Sequence, residues 1–425
     1  MNILKKLYCR TFQFCFHAAI PLLPYREPEI LDNMEKVAEL FHSKNISRIL
    51  IVTDKGVSSL GLMDKLLCSL ENSGIEYTIY DETVPNPTIS NIEAARKLYL
   101  KHNCQAIIGF GGGSSMDCAK ITAARIAKPR QSVSKMKGIL RIHHKLPLLV
   151  AVPTTAGTGS ETTLAAVITD DKTHHKYPIN DFFLIPKYAV LDPQVTLGLP
   201  KHLTSTTGMD ALTHAVEAYI GGSTTKHTRA MAEEAVTLIS KYLLRAYTDG
   251  NDWEARENML RASYCAGIAF TQSYVGYVHG LAHSLGGQYG TPHGLANAVI
   301  LPHMLEEYDS ACHKRLAKLA RICGMADKKD NNSLAAEKFI AWIKKMNRTM
   351  NIPTYIDNIR EEDIPTMAKH ADKECNPLYP VPKLMDASEL IPMYYKISGK
   401  EHGVIEPLKT SVSGKHSSSG KAASL

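Results

Sequence analysis

A chain of 425 residues is long for one compact domain, so two are expected, and 44% apolar with 21% charged residues supplies ordinary buried cores. The formal charge of +7 is slight for this length, and no dense Lys/Arg block with interleaved aromatics accompanies it, which argues against nucleic acid as a partner. Nine scattered cysteines without C-x-x-C spacing speak against a disulfide framework and for a reducing, cytoplasmic setting.

The opening stretch, "MNILKKLYCRTFQFCFHAAIPLLP", places basic residues ahead of an apolar run, as a signal peptide does. Gln13 and His17 interrupt that run, however, and Pro21 and Pro24 end it. Residues 1–30 are therefore read as an extension that packs on the body as a short helix, contact with a membrane surface being the lesser alternative. No segment has the roughly 20 apolar residues of a spanning helix, so no membrane span is expected.

From 31 to 199 two periods alternate. "SRILIVTD" (47–54), "IEYTIYD" (75–81), "CQAIIGFGGG" (104–113) and "LPLLVAVPTT" (146–155) are β-rich runs. Between them "GLMDKLLCSLENSG" (61–74), "TISNIEAARKLYLKHN" (88–103) and "SSMDCAKITAARIA" (114–127) have helical spacing. The alternation predicts a Rossmann-like α/β domain whose parallel sheet is covered on both faces. Beyond a boundary near "LDPQVTLGLPKHLT" (191–204) the β signal stops. Amphipathic runs such as "TRAMAEEAVTLISKYLLRAYTDG" and "SLAAEKFIAWIKKMNRTMN" then predict an all-α domain over 200–410. A site in the cleft between the domains is the default. Residues 411–425 are poor in apolar side chains and read as a flexible tail, of the composition cloning leaves behind.

Two turns in the first domain suit a phosphate-bearing ligand. Gly111, Gly112, Gly113 and Ser114 let backbone N–H groups approach a pyrophosphate, and the helix that follows adds orphan donors and a dipole. The pattern is neither G-x-G-x-x-G nor a Walker loop, so a plain tight turn is the competing reading. Asp54, ending its strand, suits ribose hydroxyls and repels a 2′-phosphate, favouring NAD over NADP; a helix cap is the alternative. It precedes the glycines by nearly sixty residues. The usual order puts the acid about 20 after them, so only a rearranged strand order brings both to one ligand. "VPTTAGTGSE" (152–161) is the second turn, where Thr154, Thr155 and Thr158 suit a phosphate or a carboxamide.

In the helical half, Asp210 and His214 of "GMDALTHAVEAY" are i,i+4 and share a helix face. "HGLAHSLGGQYGTPHGLANAVILPH" (279–303) adds His279, His283, His293 and His303. A surface pair or a core histidine explains any one of these, but not the cluster. One carboxylate and three imidazoles suit Fe²⁺ or Zn²⁺, and a mixed oxygen–nitrogen set without cysteine points to a catalytic ion with an open position. Spacing leaves five candidates for four places, with His303 a further outsider.

"VTDKG", "VPNPT", "GGGSSMDCAK", "PTTAGTGSE", "GMDALTHAVEAY" and the histidine stretch stand in the order and spacing of one family. Over roughly residues 45–400 the chain resembles the iron-containing (group III) alcohol dehydrogenases, among them lactaldehyde reductase and butanol dehydrogenase. The resemblance implies Asp210, His214, His279 and His293 as metal ligands, for Fe²⁺ with Zn²⁺ the alternative. It implies His283 beside the nicotinamide, either supporting the metal ligands or relaying a proton. Around NAD it implies Asp54, Asn86, Gly112, Gly113, Ser114, Asp117, Thr154, Thr155, Thr158 and Lys176, the last in a hairpin, "ITDDKTHHKYPI". The family's N-terminal strand pair with its Phe-Gly-x-Gly turn is missing here. The implied activity is NAD(H)-linked interconversion of a small or medium primary alcohol and its aldehyde; a homodimer is expected as the commonest closed arrangement. Phe270, Tyr274 and Tyr277 would wall the substrate pocket, or else pack in the core. Competing readings are a polyol or sugar-phosphate enzyme of the same fold and, in another class, a catalytically silent assembly component.

Overall fold

The computed structural model describes residues 1–173 and 175–400. The tail expected at 411–425, and positions 401–410 of the expected helical domain, lie outside the described residues. In the first half the strands are β1 (Glu29–Leu31), β2 (Arg48–Val52), β3 (Glu76–Tyr80), β4 (Ala106–Gly111), β5 (Gly138–Ile139), β6 (Leu148–Pro153), β7 (Ala165–Thr169), β8 (Lys176–Asn180) and β9 (Tyr188–Val190). Six of them form one sheet in the order β1-β9-β6-β4-β2-β3, every pair parallel. β2, β4 and β6 are almost wholly buried, as apolar runs covered on both faces must be. β1 and β9, three residues each, are too short to show a period and escape the sequence reading. The expected hairpin is β7–β8, antiparallel, and β5 extends it to three strands.

Helices α2 (Glu35–Ser43), α3 (Lys55–Ser58), α4 (Asp64–Asn72), α5 (Ile89–Lys101) and α6 (Gly113–Ala127) connect the strands. Their apolar faces close two cores, one on each side of the sheet. From residue 201 the described chain is helical: α7 (Lys201–Ile220), α8 (Lys226–Thr248), α9 (Trp253–Ser273), α10 (Tyr277–Tyr289), α11 (His293–Tyr308), α12 (Ser310–Ile322), α13 (Asn332–Thr349), α14 (Ile364–Cys375) and α15 (Ala387–Ser398). These share a third, larger core.

The N-terminal extension forms α1 (Ile3–Ala19), capped by Asn2, whose side chain accepts from the Lys5 amide. It is longer than expected and docks on the helical half, since buried Cys9 belongs to the third core. Cys9 and Gln13, four residues apart, make its inward stripe. Outward it presents Ile3, Leu4, Leu7 and Phe14, between 64% and 83% exposed. No helix among the described residues is long and apolar enough to cross a membrane.

Candidate active site

Strand order resolves the odd distance between Asp54 and the glycines. β2 lies next to β4 in the sheet, so residues following the two parallel strands emerge side by side at one edge. Asp54 caps α3, accepting from Val57 N at 3.0 Å, and its other oxygen accepts from Ser115 Oγ at 3.1 Å, on the first turn of α6. Asp54 is thus a helix cap, the alternative reading of this residue, and the cap is set against the glycine turn. Gly111 has φ +144°, and a side chain there would meet Ser115 Cβ at 2.8 Å. At Gly112 the nearest atom to an added Cβ is Thr155 Oγ1, 3.8 Å away, so the cradle has open space above it. Thr158 flanks Gly113, while Thr154 is buried and its amide donates to the Gly111 carbonyl.

Asn86, itself at φ +58°, joins two further candidates. Its amide donates to Ser114 Oγ at 3.3 Å, and its Oδ1 accepts from Lys176 Nζ at 2.6 Å. Asp117 has both carboxylate oxygens engaged, one by Ser160 Oγ and one by the Val167 amide. It ties α6 to the second turn and to β7.

α7, α10 and α11 meet at the metal-ligand candidates. Asp210 and His214 lie on α7, His279 on α10, and His293 opens α11 after Pro292. One ligand atom from each lies within 4.8 Å of all the others. His303 stacks on Tyr355 instead and stands apart from this cluster. Burial depresses the basicity of all three imidazoles, to about 4 for His293 and well below the ordinary value for His279, so each is neutral at physiological pH, the form that can bind a metal.

The donor groups fit a metal on their own geometry. Asp210 Oδ1, His279 Nε2 and His293 Nε2 converge on a single amide nitrogen, Asn297 Nδ2, at 2.7, 3.3 and 3.1 Å. His214 Nδ1 is buried without a hydrogen-bond partner. Acceptors that converge from three helices with so few donors between them could hold a cation, and one oxygen with three nitrogens suits Fe²⁺ or Zn²⁺. Glu217, one turn beyond His214, orients His279: its Oε2 lies 2.5 Å from Nδ1, while the amides of Gly276 and Val278 also donate to it. Neither Glu217 nor Asn297 was among the sequence candidates. Each sits one helical turn from a candidate ligand, His214 or His293, and that spacing was the available signal.

Phe270 stacks on His214 at 4.1 Å, inside the site. Tyr277 does not wall a pocket: it is fully buried, and its hydroxyl exchanges hydrogen bonds with the backbone of Met385. Its place on α10 turns it away from His279, two residues on, into the helical core. Tyr274 holds a rare backbone conformation, φ +61°, in the link between α9 and α10.

Two family models match this chain, "Iron-containing alcohol dehydrogenase" over residues 31–193 and "Fe-containing alcohol dehydrogenase family, C-terminal" over 204–397. Alcohol dehydrogenase 4 of Saccharomyces cerevisiae is 38% identical over 343 residues, 80% of this chain and 88% of its own. The NAD-dependent methanol dehydrogenase of Bacillus methanolicus is 36% identical over 348 residues, 81% of this chain and 91% of its own. The crystal structure of a 1,3-propanediol oxidoreductase superposes with a TM-score of 0.83 at 36% identity, covering 88% of this chain and 99% of that one. On sequence and on fold alike, this chain belongs to the iron-containing alcohol dehydrogenase family and is an oxidoreductase.

Proposed function

We propose that the protein interconverts a small or medium primary alcohol and its aldehyde with NAD(H), on iron held by Asp210, His214, His279 and His293. The observation that carries this reading is the convergence of those four ligand atoms within 4.8 Å, in a molecule whose glycine turn is open above Gly112. The similarity to enzymes named for methanol and for 1,3-propanediol favours short alcohols. We place the domain division near residue 200, in line with the two family matches. A reducing, cytoplasmic setting agrees with nine free thiols, and a homodimer is the expected assembly.

When bound, the ion supplies Lewis acidity at the substrate oxygen and the nicotinamide accepts or returns the hydride. Gly111, Gly112, Gly113 and Ser114 with the first amides of α6 would hold the pyrophosphate. Asp54 keeps free lone pairs for ribose hydroxyls although it already accepts two hydrogen bonds. Asn86 and Lys176 reach over from the other rim, and Asp117, Thr154, Thr155 and Thr158 fix the second turn against the first. An alcohol that gives up a hydride must also lose its hydroxyl proton. His283, beside His293 and 42% exposed, is placed to pass that proton to water.

The test is NADH oxidation across aldehydes of increasing length, on metal-free protein reconstituted separately with Fe²⁺ and Zn²⁺. Metal-dependent turnover is expected, and His279→Ala abolishes it. Glu217→Gln, which loosens His279, lowers metal affinity by about 10–100-fold in a chelator competition. A filled metal site and bound NADH without turnover of any aldehyde would overturn the reading.

A further inference from the structure

The imidazole of His283 has an exposed edge; on its own helix it meets the ring of His279 edge-on at 6.0 Å but finds no hydrogen-bond partner there. Ring packing alone does not choose between the two tautomers; a hydrogen bond to one nitrogen does. Here one nitrogen is anchored from far away in the sequence. Nδ1 lies 2.6 Å from Glu374 Oε1, 91 residues further on, while Nε2 bonds no protein group among the described residues. The ring stacks 5.2 Å from that of His293, so whatever fixes it also fixes its position relative to the metal-ligand cluster.

Glu374 is itself held. It lies in the last turn of α14, and the same oxygen accepts from the Tyr379 hydroxyl at 2.9 Å. Burial pushes its carboxyl up, but His283 and the two hydrogen bonds outweigh this and hold it below the ordinary carboxylate range. The segment carrying Tyr379 is pinned from behind by α1. Gln13 Nε2 donates to the carbonyls of Pro377 and Tyr379, at 3.1 and 2.8 Å. Arg10 donates to those of Val381 and Pro382, at 2.8 and 2.9 Å. Phe16 meets Tyr274 edge-on at 5.1 Å, and Tyr274 lies 6.3 Å from Tyr379. A continuous set of contacts thus runs from the N-terminal helix, through Tyr379 and Glu374, to His283.

We propose that Glu374 is the positioning residue of His283, fixing its ring and tautomer so that Nε2 is the atom that exchanges the proton. Tyr379 and α1 keep the carboxylate in place. Through Arg10, Gln13 and Phe16 the N-terminal helix thereby acquires a role in catalysis at a distance. This inference rests on the reading of His283 as the proton relay.

The experiment is a double-mutant cycle on the iron-loaded full chain: Glu374→Ala, His283→Ala and the two combined, with Glu374→Gln beside them. For each, kcat, KM for aldehyde and NADH, and iron per chain are measured. Glu374→Ala is expected to lower kcat by about tenfold or more, with both KM values within about threefold and iron retained. Glu374→Gln keeps an acceptor oxygen and recovers part of the loss. The combined variant is no slower than His283→Ala, because the carboxylate acts only through the imidazole. Additive losses, loss of iron from Glu374→Ala, or full activity in it would each overturn the proposal. A loss in His283→Ala without one in Glu374→Ala removes this inference alone. The converse removes the relay reading and this inference with it. Should Glu374→Ala not fold, Glu374→Gln and Tyr379→Phe carry the same cycle.

Discussion

Glu161, in the second turn, is fully buried, and neither of its carboxylate oxygens has a hydrogen-bond partner. Lys120 is buried nearby, its Nζ bonded to Ser160 Oγ, to Thr163 Oγ1 and to the carbonyls of Thr163 and Ala165. Burial raises the Glu161 carboxyl to about 7, tempered by Lys120, and lowers Lys120 to about 8, tempered first by Asp117 and then by Glu161. Between the ordinary 4.5 and about 7, the folded chain keeps a proton on Glu161 that the unfolded chain loses. Stability therefore falls as pH rises through that window and stays lower above it. Lys120 acts with the opposite slope, but only between about 8 and 10.5. Glu161→Gln is expected to shrink the difference in Tm between pH 5 and pH 8, relieving at most about 3 kcal/mol. Melts of parent and variant at both pH values check this, and a parent whose Tm is equal at the two would refute it. Sequence spacing gives no hint of such a group: "GTGSE" reads as a polar turn, and only packing against α9 seals it. His283 makes the same point. It lies four residues from His279, close enough to be counted as a fifth ligand, and its partner Glu374 is far outside any local window.

Among elements, the glycine turn between β4 and α6 separates conformational need from ligand need. An alanine at Gly111 adopts φ +144° only under strain and meets Ser115 at 2.6–2.8 Å. An alanine at Gly112 has ordinary space in the protein itself. Gly111→Ala is accordingly expected to destabilise, by about 1–3 kcal/mol. Gly112→Ala is expected to melt like the parent and yet bind NADH about tenfold more weakly, because its methyl group fills the approach to the backbone amides. Melts paired with NADH fluorescence titrations check both, and equal NADH affinity in Gly112→Ala would remove that turn from the dinucleotide site. Elements of ten or more residues were legible because their periods repeat several times. β1 and β9, at three residues, were not, since each is defined by the neighbour it pairs with.

Across the whole molecule, the two halves meet where the second turn packs on α9. A Cβ at Gly267 would lie 2.1 Å from Thr162 Oγ1 and 2.9 Å from the Gly159 carbonyl. Gly267→Ala must push α9 off the turn, so a loss of about 1–3 kcal/mol is expected, read as a lower Tm. Gly287, in α10 with nothing nearby, is the control: alanine there should be neutral or stabilising by up to about 1 kcal/mol. A fall in Tm shared equally by both variants would mean that helix glycines in general, rather than the junction, set the effect.

The sequence by itself determined the order of the elements, the change from alternating strands and helices to helices alone, the glycine turn, and a pool of one carboxylate and several imidazoles. These follow from local periods and residue chemistry, which act within a few turns of chain. Only the tertiary structure decided that Asp54 stands beside a turn nearly sixty residues away, that four of the candidate ligands converge while His283 is held aside by Glu374, and that Tyr277 belongs to the core. Each of these depends on contacts between residues far apart in the chain. Strand order and helix packing fix such contacts, and the spacing of residues along the sequence carries no record of them.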